Sequence, residues 1–280
     1  MKVDASTRLY CIFGRPVSHS LSPAMHNAAF EHMGINAIYT AFEPANITDA
    51  VHAMRHLHIS GASVTIPFKV DVMASCQHID PLARKIGSVN TLRNDEGSIY
   101  AFNTDGTGIT ETLKEKGVDV NGRLALVLGN GGSARATAFT LAESGAKLLI
   151  AGRNAKRIRV LADDIHATGA DVETSLIPDL DTSTMRQVDI IINTTPVGMH
   201  PDTESSPLPP DLILKHQVVF DIVYSPRITR LLNLAKQKGC VIITGDNMLL
   251  HQACRQFAIW TGKEAPVDVM RQALEAGIRK

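Results

Sequence analysis

An α/β fold in two parts, a mixed α/β layer followed by a doubly wound parallel sheet, is the fold class this sequence predicts, and three observations carry it. Strand-like and helix-like stretches alternate along the whole chain, punctuated by glycine, proline and asparagine. From Asn121 onward short continuous apolar runs recur (LALVL, KLLIA, DIIIN, VVFDIVY and CVIIT), the pattern of parallel strands buried on both faces. The 280 residues, 44% hydrophobic and 20% charged, hold enough apolar material for two ordinary domains.

In the first part, Tyr10–Phe13 reads as a strand. Ser22 and Pro23 then open a helix, serine as N-cap and proline at the first helical position, and Gly34 closes it. Ile38–Phe42 is a second strand, Ile47–His56 a helix and Gly61–Ile66 a third strand, while Ser88–Leu92 and Ile99–Asn103 form a hairpin around Asn94-Asp95-Glu96-Gly97. After the apolar runs, Met248–Trp260 and Val267–Ile278 have helical spacing with no strand behind them, so they either end the second domain or return to the first. Glycines at Gly106–Gly108 and at Gly245 permit hinges, which divides the chain into 1–105 with 246–280 and 106–245.

Charge and cysteine usage narrow the function. Lys plus Arg and Asp plus Glu both number 28, so no net field draws the chain to nucleic acid or an anionic membrane. Cys11, Cys76, Cys240 and Cys254 form no CxxC pair, which argues against a zinc knuckle or a disulfide framework and fits a reducing cytoplasm. No stretch approaches the roughly 18 apolar residues of a membrane-spanning helix, and the N-terminus lacks a signal-peptide core. A soluble, cytoplasmic protein acting on small molecules is expected.

A nucleotide site is signalled where LALVLG runs into GNGGSARATAF. Gly129, Gly131 and Gly132 sit where a strand becomes a helix, with Asn130 between them and Ser133 available as N-cap. Such a turn lets backbone approach a pyrophosphate at the positive end of a helix, although the spacing is GxGG and serves a plain tight turn equally well. The next strand ends at Gly152, 23 residues beyond Gly129, near where an acidic residue grips the ribose hydroxyl of NAD. The segment reads GRNAKRIR instead, so Arg153 with Lys156 or Arg157 can face a 2′-phosphate, and NADP is favoured over NAD. Read without a ligand, these cations simply decorate an exposed helix start. Asn193–Thr195, including Thr194, lie at a strand end placed to line the cofactor crevice.

In the first part the informative residues are polar groups that follow strands. Ser18, His19, Ser20 and Ser22 crowd the first helix start, where they can hold a carboxylate or a polyol, although capping alone explains Ser22. SVTIPFK delivers Thr65 and Lys69, SVNTL delivers Asn90, and FNTDG delivers Asn103, Thr104 and Asp105; each alone is ordinary turn chemistry. His52, His56 and His58 include an i, i+4 pair but lack an acidic ligand nearby, so no metal site is expected.

Taken together these segments resemble the shikimate dehydrogenase family, over nearly the full length. The resemblance rests on GRPVSHSLSPAMHN, SVTIPFK, IGSVNTL, FNTDGTG, GNGGSARA, INTTPVGM, DIVYSP and GDNMLLHQ followed by WTG, in the right order. It implies an N-terminal α/β substrate domain, a Rossmann nucleotide domain, and C-terminal helices that pack back on the first domain. It implies that Lys69 is the catalytic lysine and Asp105 its partner carboxylate. Ser20, Ser22, Thr65, Asn90, Asp105, Tyr224 and Gln252 match substrate-binding positions. Gly129, Asn130, Gly131, Gly132, Ser133, the segment Arg153, Asn154, Lys156 and Arg157, and Thr194, Ile222 and Gly245 match positions around the nucleotide. Two departures stand out. Ser63 replaces the family's asparagine, a shorter donor expected to weaken a substrate contact or relax the choice between shikimate and quinate. Gly152-Arg153-Asn154 replaces AsnArgThr, which removes one hydroxyl from the 2′-phosphate site.

The implied activity is reversible, NADP-dependent reduction of 3-dehydroshikimate to shikimate on the way to the aromatic amino acids. Hydride delivery to a ring ketone creates an alkoxide, and Lys69 can polarise the ketone and donate the proton while Asp105 orients it. No metal is required, and monomer and homodimer are both compatible with the sequence. Other readings are a quinate or dual quinate/shikimate dehydrogenase, a non-catalytic sensor of a pathway metabolite, and a folate-type dehydrogenase of similar shape. The sensor has no use for Lys69 and Asp105, and the folate enzyme does not predict the serine-rich first motif or the Gln252 segment.

Overall fold

The computed structural model describes residues 3–279. They divide into two compact units, one taking the chain up to Thr107 and again from Leu250, the other Gly108–Leu249.

The first unit begins β1 (Arg8–Phe13), α1 (Ser22–His32), β2 (Ala37–Phe42), α2 (Ile47–His56), β3 (Gly61–Val64), β4 (His78–Ile79), α3 (Pro81–Ile86), β5 (Thr91–Asp95) and β6 (Ser98–Phe102). Its strands form one mixed sheet in the order β2-β1-β3-β5-β6-β4. β1 pairs in parallel with β2 and β3, whereas β5 runs antiparallel to both β3 and β6. The β5–β6 hairpin turns at Glu96-Gly97, both at positive φ (49° and 90°), the geometry a two-residue type I′ turn requires. One face of the sheet buries Val51, Met54, Val64, Val72, Leu92 and Ile99 against α2 and the segments around it.

α4 (Asp105–Glu115) carries the chain across the boundary into the second unit: β7 (Leu124–Leu128), α5 (Gly132–Glu143), β8 (Lys147–Gly152), α6 (Ala155–His166), β9 (Val172–Leu176), α7 (Thr182–Met185), β10 (Ile190–Asn193), β11 (Val218–Asp221), α8 (Arg230–Lys238) and β12 (Val241–Ile243). These strands make an all-parallel sheet in the order β12-β11-β10-β7-β8-β9. The interior strands β10 and β11 are buried at every residue, as their unbroken apolar runs require. α9 (Gly245–Thr261) crosses the second boundary, and α9 from Leu250 onward and α10 (Val267–Ile278) belong to the first unit. This resolves the choice left open for the C-terminal helices. Gly277 of α10 lies so close to Leu21 that a Cβ there would come within 2.7 Å of a leucine methyl.

Several local expectations need correction. Leu21, not Ser22, holds the N-cap position of α1; Ser22 is already helical, and its N–H donates to Ser20 Oγ at 3.3 Å. Likewise Gly131, not Ser133, holds the N-cap position of α5. β3 stops at Val64 because the chain folds into a turn in which Phe68 N–H reaches Thr65 O, and β5 starts only at Thr91 because Gly87, left-handed at φ 69°, has just closed α3. The run VVFDIVY is a strand only to Asp221. β9 carries no apolar run, since as an edge strand it leaves Glu173 and Thr174 exposed, and the sequence pattern passes over it.

Candidate active site

Sheet order alone gathers the polar residues of the first unit. β1 and β3 are parallel neighbours, so the loops leaving Phe13 and Val64 emerge at the same sheet edge. β5 is antiparallel to β3 and begins at that edge, and β6 ends there, with Thr91 opposite Phe102. Hence Ser20 and Ser22, Thr65 and Lys69, Asn90, and Asn103–Asp105 follow or precede strand ends on one side. The loops after β1 and β3 are laced together: Arg15 N–H donates to Ile66 O at 2.9 Å and Thr65 N–H to Phe13 O at 2.9 Å. Gly14 permits this approach, because a Cβ there would overlap the Thr65 methyl at 2.3 Å.

At the centre Lys69 Nζ lies 2.6 Å from Asp105 Oδ2, with side chains only 12% and 4% exposed. Asn90 Nδ2 donates to the other carboxylate oxygen, Asp105 Oδ1, at 2.8 Å, and stands 3.3 Å from Gln252 Oε1. Asn103 accepts the N–H groups of Asp105 and Gly106, so it starts α4 and fixes where Asp105 points. A cation and a carboxylate held this tightly, each in reach of further polar groups, can exchange a proton with a substrate hydroxyl while the geometry stays put.

Ser63 departs from expectation. It is buried, its hydroxyl donates to Gln256 Oε1 at 2.8 Å and accepts from Tyr39 at 2.7 Å, so it faces the protein interior rather than supplying a short substrate donor. Three further residues shape this neighbourhood, of which the sequence marks only Trp260, in WTG. Glu43, just past β2, accepts the N–H groups of Val17 and Ser18 at 2.7 and 3.2 Å and so shapes the serine loop. Gln256 and Trp260 continue the stripe begun by Gln252, at i, i+4 and i+8 of α9, and both bind β5, Gln256 Nε2 donating to Thr91 Oγ1 at 3.0 Å and Trp260 Nε1 to Leu92 O at 2.9 Å. The i, i+4 spacing was the available clue. His26 lies fully buried, stacked on Tyr39 at 4.6 Å, and burial pushes its imidazole down to about 3.

In the second unit the candidate nucleotide residues sit at strand ends of the parallel sheet. Gly129 has φ 119°, and a Cβ there would lie 2.7 Å from Thr194 Oγ1, which itself donates to Leu128 O at 2.6 Å. Gly131 is different: an added Cβ would meet nothing within 4 Å, so its outer face is open, and no side chain caps α5. That uncapped helix start with room in front of it fits a pyrophosphate. Arg153, Lys156 and Arg157 are exposed at the start of α6, where Asn154 serves as N-cap by accepting Arg157 N–H. Gly245 packs against backbone, its hypothetical Cβ 2.3 Å from Ile222 O. Tyr224 belongs to this unit, half-buried beyond β11, in a loop tied down by Asp221. Asp221 accepts from Asn193 Nδ2, Val223 N–H and Thr229 Oγ1 at 3.0, 3.0 and 2.7 Å; burial nevertheless pushes its carboxyl up to about 7.

His52 and His56 rings are 5.5 Å apart, and among the described residues no three His, Cys, Asp or Glu side chains gather as a metal site would need. Nor, among them, is any helix long and apolar enough to cross a membrane.

Three family models match successive stretches: the shikimate dehydrogenase substrate binding domain over residues 12–92, shikimate / quinate 5-dehydrogenase over 111–224, and the shikimate 5′-dehydrogenase C-terminal domain over 247–275. The chain is 42% identical to the shikimate dehydrogenase (NADP(+)) of Moorella thermoacetica, with 98% of this chain and 95% of that one aligned. Among solved structures, a shikimate dehydrogenase in complex with NADP+ superposes with a TM-score of 0.93 at 37% identity, covering 100% of this chain and 98% of that one. The Thermus thermophilus enzyme, in complex with NADP(H) and shikimate, gives 0.86 at 34% identity over 97% and 100%.

Proposed function

The chain belongs to the shikimate dehydrogenase family, and from that premise we propose how its own residues carry out the NADP-dependent interconversion of 3-dehydroshikimate and shikimate. The single observation that supports the catalytic assignment most is the Lys69–Asp105 pair, 2.6 Å apart and largely withdrawn from solvent.

When bound, NADPH supplies the hydride that reduces the ring ketone. The Gly129–Ser133 turn would hold its pyrophosphate and Arg153, with Lys156 and Arg157, its 2′-phosphate, while Thr194, Ile222 and Gly245 shape the surrounding strand ends. Lys69 polarises the substrate ketone and hands its ammonium proton to the oxygen as charge develops there; in the other direction its amine takes the proton of the substrate hydroxyl. Asp105 holds Lys69 on one oxygen while Asn90 holds the other, so neither group swings away between turnovers. Ser20 and Ser22 at the start of α1 take the substrate carboxylate, and Thr65, Asn90 and Gln252 its hydroxyls. A polyol that leaves such donors and acceptors unmatched is rejected, because each would be buried unpaired. All four cysteines are unpaired thiols, which supports placing the enzyme in a reducing cytoplasm.

Steady-state rates with shikimate and NADP, against quinate and NAD, test this reading. Shikimate with NADP is expected to be the best pair; a tenfold preference for quinate would overturn the substrate assignment.

A further inference from the structure

Six buried side chains form a continuous line of hydrogen bonds from Tyr39 to Asp105, and the direction of every proton in it follows from two backbone contacts. Gln256 touches Asn90 O at 3.1 Å; a carbonyl only accepts, so this end of the amide is Nε2. Asn90 touches Thr104 N at 2.8 Å; that N–H only donates, so this end of the asparagine is Oδ1. The rest is determined. Gln256 Oε1 takes the Ser63 proton, which leaves Ser63 to accept from Tyr39. Gln256 Nε2 gives its second N–H to Thr91 Oγ1 at 3.0 Å, so Thr91 donates onward to Asn90 Oδ1 at 2.8 Å. With its oxygen engaged by Thr91, by the Thr104 N–H and, at 3.2 Å, by the Thr104 hydroxyl, Asn90 turns Nδ2 to Asp105 Oδ1 at 2.8 Å and to Thr104 Oγ1 at 2.9 Å.

We propose that Gln256, acting through Thr91, is a positioning residue for the reaction: together with the Thr104 N–H it holds Asn90 in the amide orientation that donates to Asp105, which leaves the other carboxylate oxygen for Lys69. Ser63 and Tyr39 complete the line by holding Gln256 Oε1, and that is the task serine performs here in place of a ligand contact. The opposite orientation of Asn90 would set its oxygen against Asp105 Oδ1 and its NH₂ against both the Thr104 N–H and the Thr91 hydroxyl proton, so the line reinforces the selection that the backbone begins. The inference rests on the assignment of Lys69 and Asp105 as the proton-handling pair.

Thr91→Val keeps the side-chain shape and removes the hydroxyl that links Gln256 to Asn90. It is expected to lower kcat about tenfold, the scale of one lost buried hydrogen bond, with KM for NADPH within twofold of wild type. Thr91→Ser, which keeps the hydroxyl, should restore kcat to within twofold, and Gln256→Leu should reproduce the loss. In an Asp105→Asn background Thr91→Val should change the rate less than twofold, because the group being positioned is gone. A Thr91→Val enzyme at wild-type kcat, a Thr91→Ser enzyme as slow as Thr91→Val, or a tenfold loss that persists beside Asp105→Asn would each overturn the proposal. Lys69→Ala, run in parallel, separates the two levels: a fast Lys69→Ala enzyme brings down the underlying assignment, whereas a slow one beside a fast Thr91→Val enzyme brings down the positioning role alone.

Discussion

In the first unit the candidate groups are tied side chain to side chain, Lys69 to Asp105, Asp105 to Asn90, and Asn90 through Thr91 to Gln256, almost all of it buried. In the second, the turn between β7 and α5 is shaped by backbone: Gly129 takes a left-handed φ beside Thr194, Gly131 leaves open space, and the cations Arg153, Lys156 and Arg157 stand in solvent. The difference fits the ligands proposed for each unit. A dinucleotide presents phosphates that helix N–H groups and mobile cations can meet, whereas a small polyol undergoing proton transfer needs side chains fixed to within a fraction of an ångström. One half is thus written in glycines and the other in contacts between distant residues.

The contrast can be broken most sharply at Lys69. Lys69→Ala should lower kcat by about a hundredfold or more with little change in KM for shikimate, since acid–base help is lost while the binding groups remain; wild-type turnover would show that the first unit's network is merely structural. On the backbone side, Gly129→Ala forces a side chain into φ 119° and against Thr194 Oγ1 at 2.7 Å. It should cost about 1–3 kcal/mol of stability, read as a lower melting temperature, and loosen NADP binding with it. Arg153→Ser tests the exposed cations: KM for NADP should rise about tenfold, near the effect of a single charge-assisted contact, while NAD use stays level. Equal loss for both cofactors would mean that the phosphate contact lies elsewhere.

The smallest effect in the wild-type chain is one in which the two units oppose each other. His26, held down to about 3, stays neutral where the unfolded chain already binds a proton, so its contribution makes stability fall as pH drops from about 6.5 toward 3. Asp221, held up to about 7, keeps its proton where the unfolded chain has lost it, so its contribution makes stability fall as pH rises from about 4 to 7. Between about 4 and 6.5 the two slopes largely cancel. Asp221→Asn should therefore gain stability relative to wild type on going from pH 5 to pH 7.5, and His26→Phe should lose stability relative to wild type over the same step; melting curves at the two pH values read both.

Much of the fold was legible locally. The span of α2 and of α10 follows from helical spacing, and β7 from its unbroken apolar run, because those signals depend only on near neighbours and on burial. Ser22 and Ser133 lie one and two residues inside the helix starts, since a serine beside a helix start is a cap only if its backbone stays outside the helix, and here Leu21 and Gly131 take that place. β9 escaped because an edge strand need not be apolar.

By itself the sequence determined the order of most strands and helices, the glycine turn after β7, and which polar residues would stand at strand ends. Only the tertiary structure decided which of them meet. Gln256 and Asn90 are 166 positions apart, and no periodicity or local motif records their pairing. It arises because sheet order sets β5 beside β3, and α9 then lays one polar stripe along them, where buried amides and hydroxyls must find partners across whatever sequence distance the topology dictates.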